Sequence, residues 1–144
     1  MYTRILFPTD GSEVCSKALR HALDLAKLCG AELHALSAKE MFPYGAVSDL
    51  QPTPPQEFME DQERTASERV KAVMEAARQA GVSCRGSTVE AVQPWEAICG
   101  YAAEHGCDLI VMGSHGRHGL TALLRGSETP RVLGHCSVPV LVVR

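Results

Sequence analysis

The residues of this chain best suited to chemistry are glycines, hydroxyls and one carboxylate, rather than a nucleophile beside its base. Gly113-Ser114-His115-Gly116-Arg117 is followed by Gly126-Ser127, with nine residues between Gly116 and Gly126. Glycines let backbone amides approach a ligand closely, and a helix opening at Gly126-Ser127 turns its first N–H groups and positive dipole end toward an anion. Ser114 and Ser127 add neutral donors, and Arg117 and Arg125 add positive charge. On its residues alone, the stretch 113–127 is a phosphate cradle or a structural glycine turn with a capping serine. It is not the GxxxxGK[ST] loop, because it contains no lysine, and no GxGxxG follows the first apolar run.

A second polar turn, Pro8-Thr9-Asp10-Gly11-Ser12, carries Asp10, a carboxylate suited to Mg2+ or Mn2+. His115 and His118 flank Gly116-Arg117 without a third His, Cys or carboxylate at ligand spacing, so they are read as loop residues. Hydrolysis would need a positioned water as well as cationic charge, and no water-orienting side chain stands out. No catalytic residue is assigned. Trp95 is read as a packing residue, and His21, His34, His105 and His135 as surface or capping residues.

These turns need elements to hold them. Arg4 to Pro8 is a short apolar strand, and Ser12 is placed to cap a helix over 13–29, whose apolar residues recur every three or four positions until Gly30. A strand over 31–38 leads to the proline-rich loop 41–55, and an amphipathic helix spans 56–80. A strand over 82–89, a short helix from Pro94 to the His105-Gly106 stop, and a strand over 108–113 follow. A helix over 128–135 and a strand over 138–143 end the chain. This alternation argues for an α/β fold: an open parallel sheet of five strands in the order 3-2-1-4-5, with helices on both faces. Ligands bind such sheets at the carboxyl ends of the strands, where neighbouring connections diverge; here that is between strands one and four, where both polar turns emerge.

Gly113-x2-Gly116-x9-Gly126-Ser127 fits G-x2-G-x9-G-[ST], the ATP-binding signature of the nucleotide-binding branch of the universal stress protein family, which this chain resembles. The resemblance extends to the opening Ile5-Leu6-Phe7-Pro8-Thr9-Asp10-Gly11-Ser12, to Asp108-Leu109-Ile110-Val111-Met112-Gly113, and to the final Val138-Pro139-Val140-Leu141-Val142-Val143, so it spans essentially the whole chain. It implies a Rossmann-like fold of the adenine nucleotide alpha hydrolase type. Asp10 would then sit beside the ribose or a metal-bound phosphate, with backbone near Ala38 and Met112 framing the adenine and the glycines and Ser127 taking the phosphates. Residues expected at ATP, ADP or AMP are Thr9, Asp10, Ala38, Met112, Gly113, Ser114, His115, Gly116, Arg117, Gly126, Ser127 and Glu128. Mg2+ or Mn2+ would accompany the nucleotide at Asp10. Glu128-Thr129-Pro130 departs from the family pattern, and a carboxylate at Glu128 would repel a triphosphate unless it points away or a metal intervenes. The family also dimerises through its last strand, in keeping with the apolar edge at Val138, Val140, Leu141, Val142 and Val143.

Composition bounds the rest. The 144 residues, 45% hydrophobic and 22% charged, suit one globular domain over 1–144. A net charge of −3 with interleaved signs argues against nucleic acid as a partner. No apolar run approaches the ~20 residues needed to cross a bilayer, and no leader is visible, so a cytoplasmic protein without membrane contact is expected. The six cysteines, with no CxxC pair, are read as reduced core thiols. The expected function is a nucleotide-liganded regulatory or protective homodimer in the stress response. A slow ATP hydrolase or a nucleotide-free dimerisation module are the alternatives.

Overall fold

A computed structural model describes residues 1–41, 55–114 and 128–144. Its elements are β1 (Arg4–Pro8), α1 (Glu13–Cys29), β2 (Glu32–Glu40), α2 (Gln56–Ala80), β3 (Cys84–Ala91), α3 (Pro94–Glu104), β4 (Leu109–Gly113), α4 (Glu128–His135) and β5 (Val140–Val143). The strands form one parallel sheet in the order β3-β2-β1-β4-β5, as the alternation of elements required.

Each strand of the sheet's centre is buried on both sides, and its alternate residues feed two cores. Ile5, Phe7, Leu33, Ala35, Leu109 and Val111 pack beneath α1 and α2, while Leu6, Leu36, Ile110 and Met112 pack beneath α3 and α4. The stripe Cys15, Ala18, Ala22 and Ala26 gives α1 a narrow buried face, and α2 presents Ala66, Val70, Val73 and Ala77. Small side chains there let the helix axes lie close to the sheet. Ser12 accepts a hydrogen bond from the Cys15 N–H to open α1, and Gly30, at φ 67°, closes it in the left-handed conformation.

Several element ends differ from the sequence expectation, each for a local reason. β2 continues to Glu40 because Lys39 pairs with Glu63 of α2 at 2.7 Å and the Glu40 N–H donates to Gln62. β3 begins at Cys84, since the Val82 N–H is engaged by the Ala77 carbonyl in closing α2. β5 begins at Val140, after Pro139, which has no N–H to give a ladder and contributes only its carbonyl, accepting from Ile110.

Two further readings need correcting. Cys99 and Cys136, read as reduced thiols, form a disulfide with their Cα atoms 5.2 Å apart; Cys15, Cys29, Cys84 and Cys107 are free. A separation of 37 residues gave no spacing signal, and only the packing of α3 on α4 brings the pair together. His34, read as a surface or capping residue, is 3% exposed. Its ring bridges Glu32 at 2.7 Å and the Tyr101 hydroxyl at 3.1 Å, and Arg85 pairs with the same Glu32 oxygen at 3.0 Å. Burial pushes the Glu32 carboxyl up, but hydrogen bonds from His34 and Arg85, with the Arg85 charge, outweigh it and leave the group below the ordinary glutamate value.

Candidate functional site

The turn after β1 is fixed by its own side chains. The Thr9 N–H donates to the Leu36 carbonyl at 2.8 Å, and the Thr9 hydroxyl accepts from the Gly11 N–H at 3.2 Å. Gly11 has φ 76°, a left-handed conformation that glycine adopts without a Cβ penalty. Asp10 Oδ1 accepts from the Ser12 N–H at 2.9 Å and from the Cys15 thiol at 3.1 Å. Burial raises the Cys15 pKa, and the nearby Asp10 charge adds to it, so the thiol stays protonated and continues to donate. The half-buried carboxylate is therefore oriented before any ligand arrives.

The second turn leaves β4 beside it. β1 and β4 run parallel with Ile5 opposite Leu109 and Leu6 opposite Ile110, which brings their carboxyl ends together. Gly113 lies under α1 so closely that a Cβ there would fall against the Val14 side chain. The Asp10 turn and Gly113 are thus joined through the first turn of one helix. The Ser114 N–H donates to the Val143 carbonyl at 2.8 Å. Its hydroxyl is buried with no hydrogen-bond partner, and among the described residues Ser37 Oγ alone shares that condition. A buried hydroxyl without a partner costs about 1–3 kcal/mol, so such an atom marks a place where a ligand atom has something to satisfy.

α4 returns to the same place. The Thr129 hydroxyl donates to the Gly113 carbonyl at 3.0 Å, tying the first turn of α4 to the end of β4. Glu128, the residue whose charge stood against a triphosphate, accepts a hydrogen bond from the Trp95 N–H at 2.8 Å. Its carboxylate is turned onto the amino end of α3, where the helix dipole favours it. Trp95 packs, as read from the sequence: its ring stacks on His135 at 4.2 Å and its indole N–H donates to Gln93.

Among the expected site residues, Thr9, Asp10, Met112, Gly113 and Ser114 therefore gather at the ends of β1 and β4, and Glu128 sits across from them on α4. Ala38 lies near the end of β2, opposite Val89 of β3. His115, Gly116, Arg117, Gly126 and Ser127, with Arg125 and His118, lie outside the described residues. Among the described residues no group of three His, Cys, Asp or Glu side chains is placed to hold a metal ion. Sequence reasoning missed Cys15, which donates to Asp10, and Thr129, which donates to the Gly113 carbonyl. The position of Cys15 in the first turn of the Ser12-capped helix that follows Asp10 is the signal that could have found one of them.

The geometry has relatives. The model of the universal stress protein family matches residues 1–144. Universal stress protein MJ0531 of Methanocaldococcus jannaschii is 34% identical over 145 residues, covering 100% of this chain and 83% of its own length. The solved structure of hypothetical protein MJ0577 superimposes with a TM-score of 0.82 at 30% identity, covering 99% of this chain and 96% of that one. Two more distant structures share the fold. One, a universal stress protein in complex with cAMP, has a TM-score of 0.76 at 22% identity and covers 99% of this chain and 97% of its own. The other, the Archaeoglobus fulgidus universal stress protein in complex with dAMP, has a TM-score of 0.72 at 19% identity and covers 99% and 98%. With a family model spanning every residue and a relative at this identity over the full chain, the protein belongs to the universal stress protein family.

Proposed function

We propose that this chain binds an adenine nucleotide at the junction of β1 and β4, and that ATP with Mg2+ or Mn2+ is the ligand. The observation that carries the reading is the buried, unpartnered Ser114 hydroxyl beside the pre-oriented Asp10, at the point where the sequence enters G-x2-G-x9-G-[ST]. Distant relatives of the same fold solved with cAMP and dAMP support the adenine part. Glu128 does not oppose it, since its carboxylate serves α3. Backbone near Ala38 and Met112 frames the base, Asp10 meets the ribose or a metal-bound phosphate, and Gly113, Ser114, His115, Gly116, Arg117, Gly126 and Ser127 take the phosphates. The chain acts as one domain in a homodimer paired through β5, whose Leu141 is 37% exposed, and the bound nucleotide regulates what the dimer contacts in the stress response.

Isothermal titration with MgATP and MgGTP tests the reading. Heat from MgATP with a dissociation constant below about 100 μM, tighter than for MgGTP and lost in Asp10→Ala, is the expected result. No heat at about 1 mM MgATP overturns it. Mass spectrometry of the supernatant from denatured protein identifies any nucleotide that co-purifies.

A further inference from the structure

α4 is a helix of 8 residues that contains Pro130 and Gly134. A segment so short and so composed does not hold a helical shape on its own, so its position depends on what it docks against. The dock is α3. Val132 of α4 is buried with Ile98 and Ala102 of α3, and Arg131 donates to Gln93 at 2.9 Å. His135 stacks on Trp95, and Glu128 accepts from the Trp95 N–H. The one covalent tie across this seam is Cys99–Cys136, which joins the middle of α3 to the residue after α4.

We propose that Cys99–Cys136 is a thiol–disulfide exchange site whose oxidation state sets how firmly α4 is docked on α3. Through α4 it sets the affinity of the site at Gly113 and Ser114. The second half rests on the nucleotide reading above, and the first does not.

Three observations carry it. Both cysteines are half-buried rather than enclosed in the core, and the outer side of the seam is open: Gly100, Leu133 and Gly134 are exposed. The free cysteines Cys15 and Cys107 are buried, and burial pushes the Cys84 and Cys107 thiols up to about 11, which leaves them poor competitors in exchange. The clamped helix is the one whose Thr129 hydroxyl holds the Gly113 carbonyl, one residue before the unpartnered Ser114 hydroxyl. Loosening α4 therefore loosens a wall of the proposed site.

The exchange balances with a low-molecular-weight dithiol as partner. Its thiolate attacks one protein sulfur, the Cys99–Cys136 bond breaks, and the cysteine thiolate released takes up a proton. The second thiolate of the dithiol then closes on the mixed disulfide, forming the partner's own S–S bond and releasing the other cysteine, which is protonated in turn. Two electrons pass to the protein, and a disulfide-form partner runs the sequence backwards.

The test uses the whole chain equilibrated in oxidised or reduced dithiothreitol. Alkylation under denaturing conditions is expected to modify four cysteines in the oxidised form and six in the reduced form. Amide hydrogen exchange in α4 should quicken on reduction while β1 and β4 are unchanged. MgATP should bind about fivefold more weakly to the reduced protein, the lower end of usual coupling between sites. A Cys99→Ser, Cys136→Ser variant should match the reduced protein and ignore dithiothreitol; the reduced wild type carries the same information if that variant fails to fold. Six modified cysteines after oxidation, or a bond that survives native reduction, overturns the exchange site. Equal α4 exchange in both forms overturns the clamp. Equal MgATP affinity despite altered α4 exchange overturns the coupling. Absence of MgATP binding in either form defeats the nucleotide reading, and the alkylation and exchange results still decide the clamp.

Discussion

Replacing Glu128 with alanine removes the carboxylate that satisfies the Trp95 N–H in the first turn of α3. Among the described residues that helix has no other side-chain cap, since its N-cap residue Gln93 makes no cap hydrogen bond. A hydrogen bond to a charged group contributes about 1.5–3 kcal/mol, and loss of a helix cap costs about 0.5–2 kcal/mol. Glu128 is half-buried, so partial screening by water places the expected loss at about 1–2 kcal/mol. For a chain of this length that corresponds to a fall in Tm of about 3–8 °C. Thermal unfolding followed by circular dichroism, with the disulfide intact, measures it. Glu128→Gln retains an acceptor and loses only the charge facing the helix dipole, about 0.3–1 kcal/mol, and so should lie between wild type and Glu128→Ala. The opposite assignment puts the carboxylate against the phosphates, where its removal would relieve repulsion without touching α3. An unchanged Tm in Glu128→Ala, together with a tenfold gain in MgATP affinity, would refute the reasoning.

Gly86→Ala should destabilise the protein by about 1–3 kcal/mol, because the added Cβ collides with Val70 and Met74 of α2. Gly100→Ala, on an exposed helical position with nothing near the new Cβ, should stabilise it by about 0.5–1 kcal/mol; urea unfolding compares the two. Asp108 accepts from the Thr3 and Arg4 N–H groups and the Thr3 hydroxyl. Burial pushes its carboxyl up, yet those hydrogen bonds outweigh it and hold the group below the usual aspartate value. A depressed folded pKa gives stability that is present above the unfolded pKa and disappears as pH falls through the folded one. The cost of Asp108→Asn should therefore be full at pH 6 and fade below about pH 4 in denaturant titrations. With Cys84 and Cys107 pushed up to about 11, about one thiol in a thousand is ionised at pH 8, so iodoacetamide should modify both far more slowly in native protein than in urea. Equal rates by peptide mass mapping would contradict the burial of Cys107 and the partial burial of Cys84.

The sheet was legible because its signals are local. A short run such as Leu109 to Met112, apolar on both faces and set between helical stretches, suits the centre of a parallel sheet, and Ser12 and Gly30 mark the ends of α1 in the sequence itself. Strand ends shifted where a side chain on another element decided them, as Gln62 does at Glu40. Asp10 and Gly113 could be brought together on paper, since strand order alone places the ends of β1 and β4 side by side. The Glu128 carboxylate could not be placed that way, because its direction depends on the amino end of a helix 33 residues earlier lying within reach. The disulfide escaped for the same reason. His34 was misread although a hint was present: Glu32, two positions before it on the same face of β2, offered the partner that a buried histidine needs.

The departure at Glu128-Thr129 takes on a physical meaning once both side chains have partners. In a helix that must present its amino end to an anion, an acidic first residue is a liability unless its charge is drawn elsewhere. Here α3 draws it: the Trp95 N–H takes the Glu128 carboxylate, and the Gly113 carbonyl takes the Thr129 hydroxyl. Both side chains at the amino end of α4 are committed to protein groups, and the same two bonds fix α4 between α3 and β4. Under the nucleotide reading proposed above, affinity for the ligand should respond to what moves α4 rather than to the charge on residue 128. A Glu128→Gln variant that keeps α4 docked should therefore bind MgATP within about twofold of wild type, whereas freeing α4 by reducing Cys99–Cys136 should weaken binding with the charge still in place.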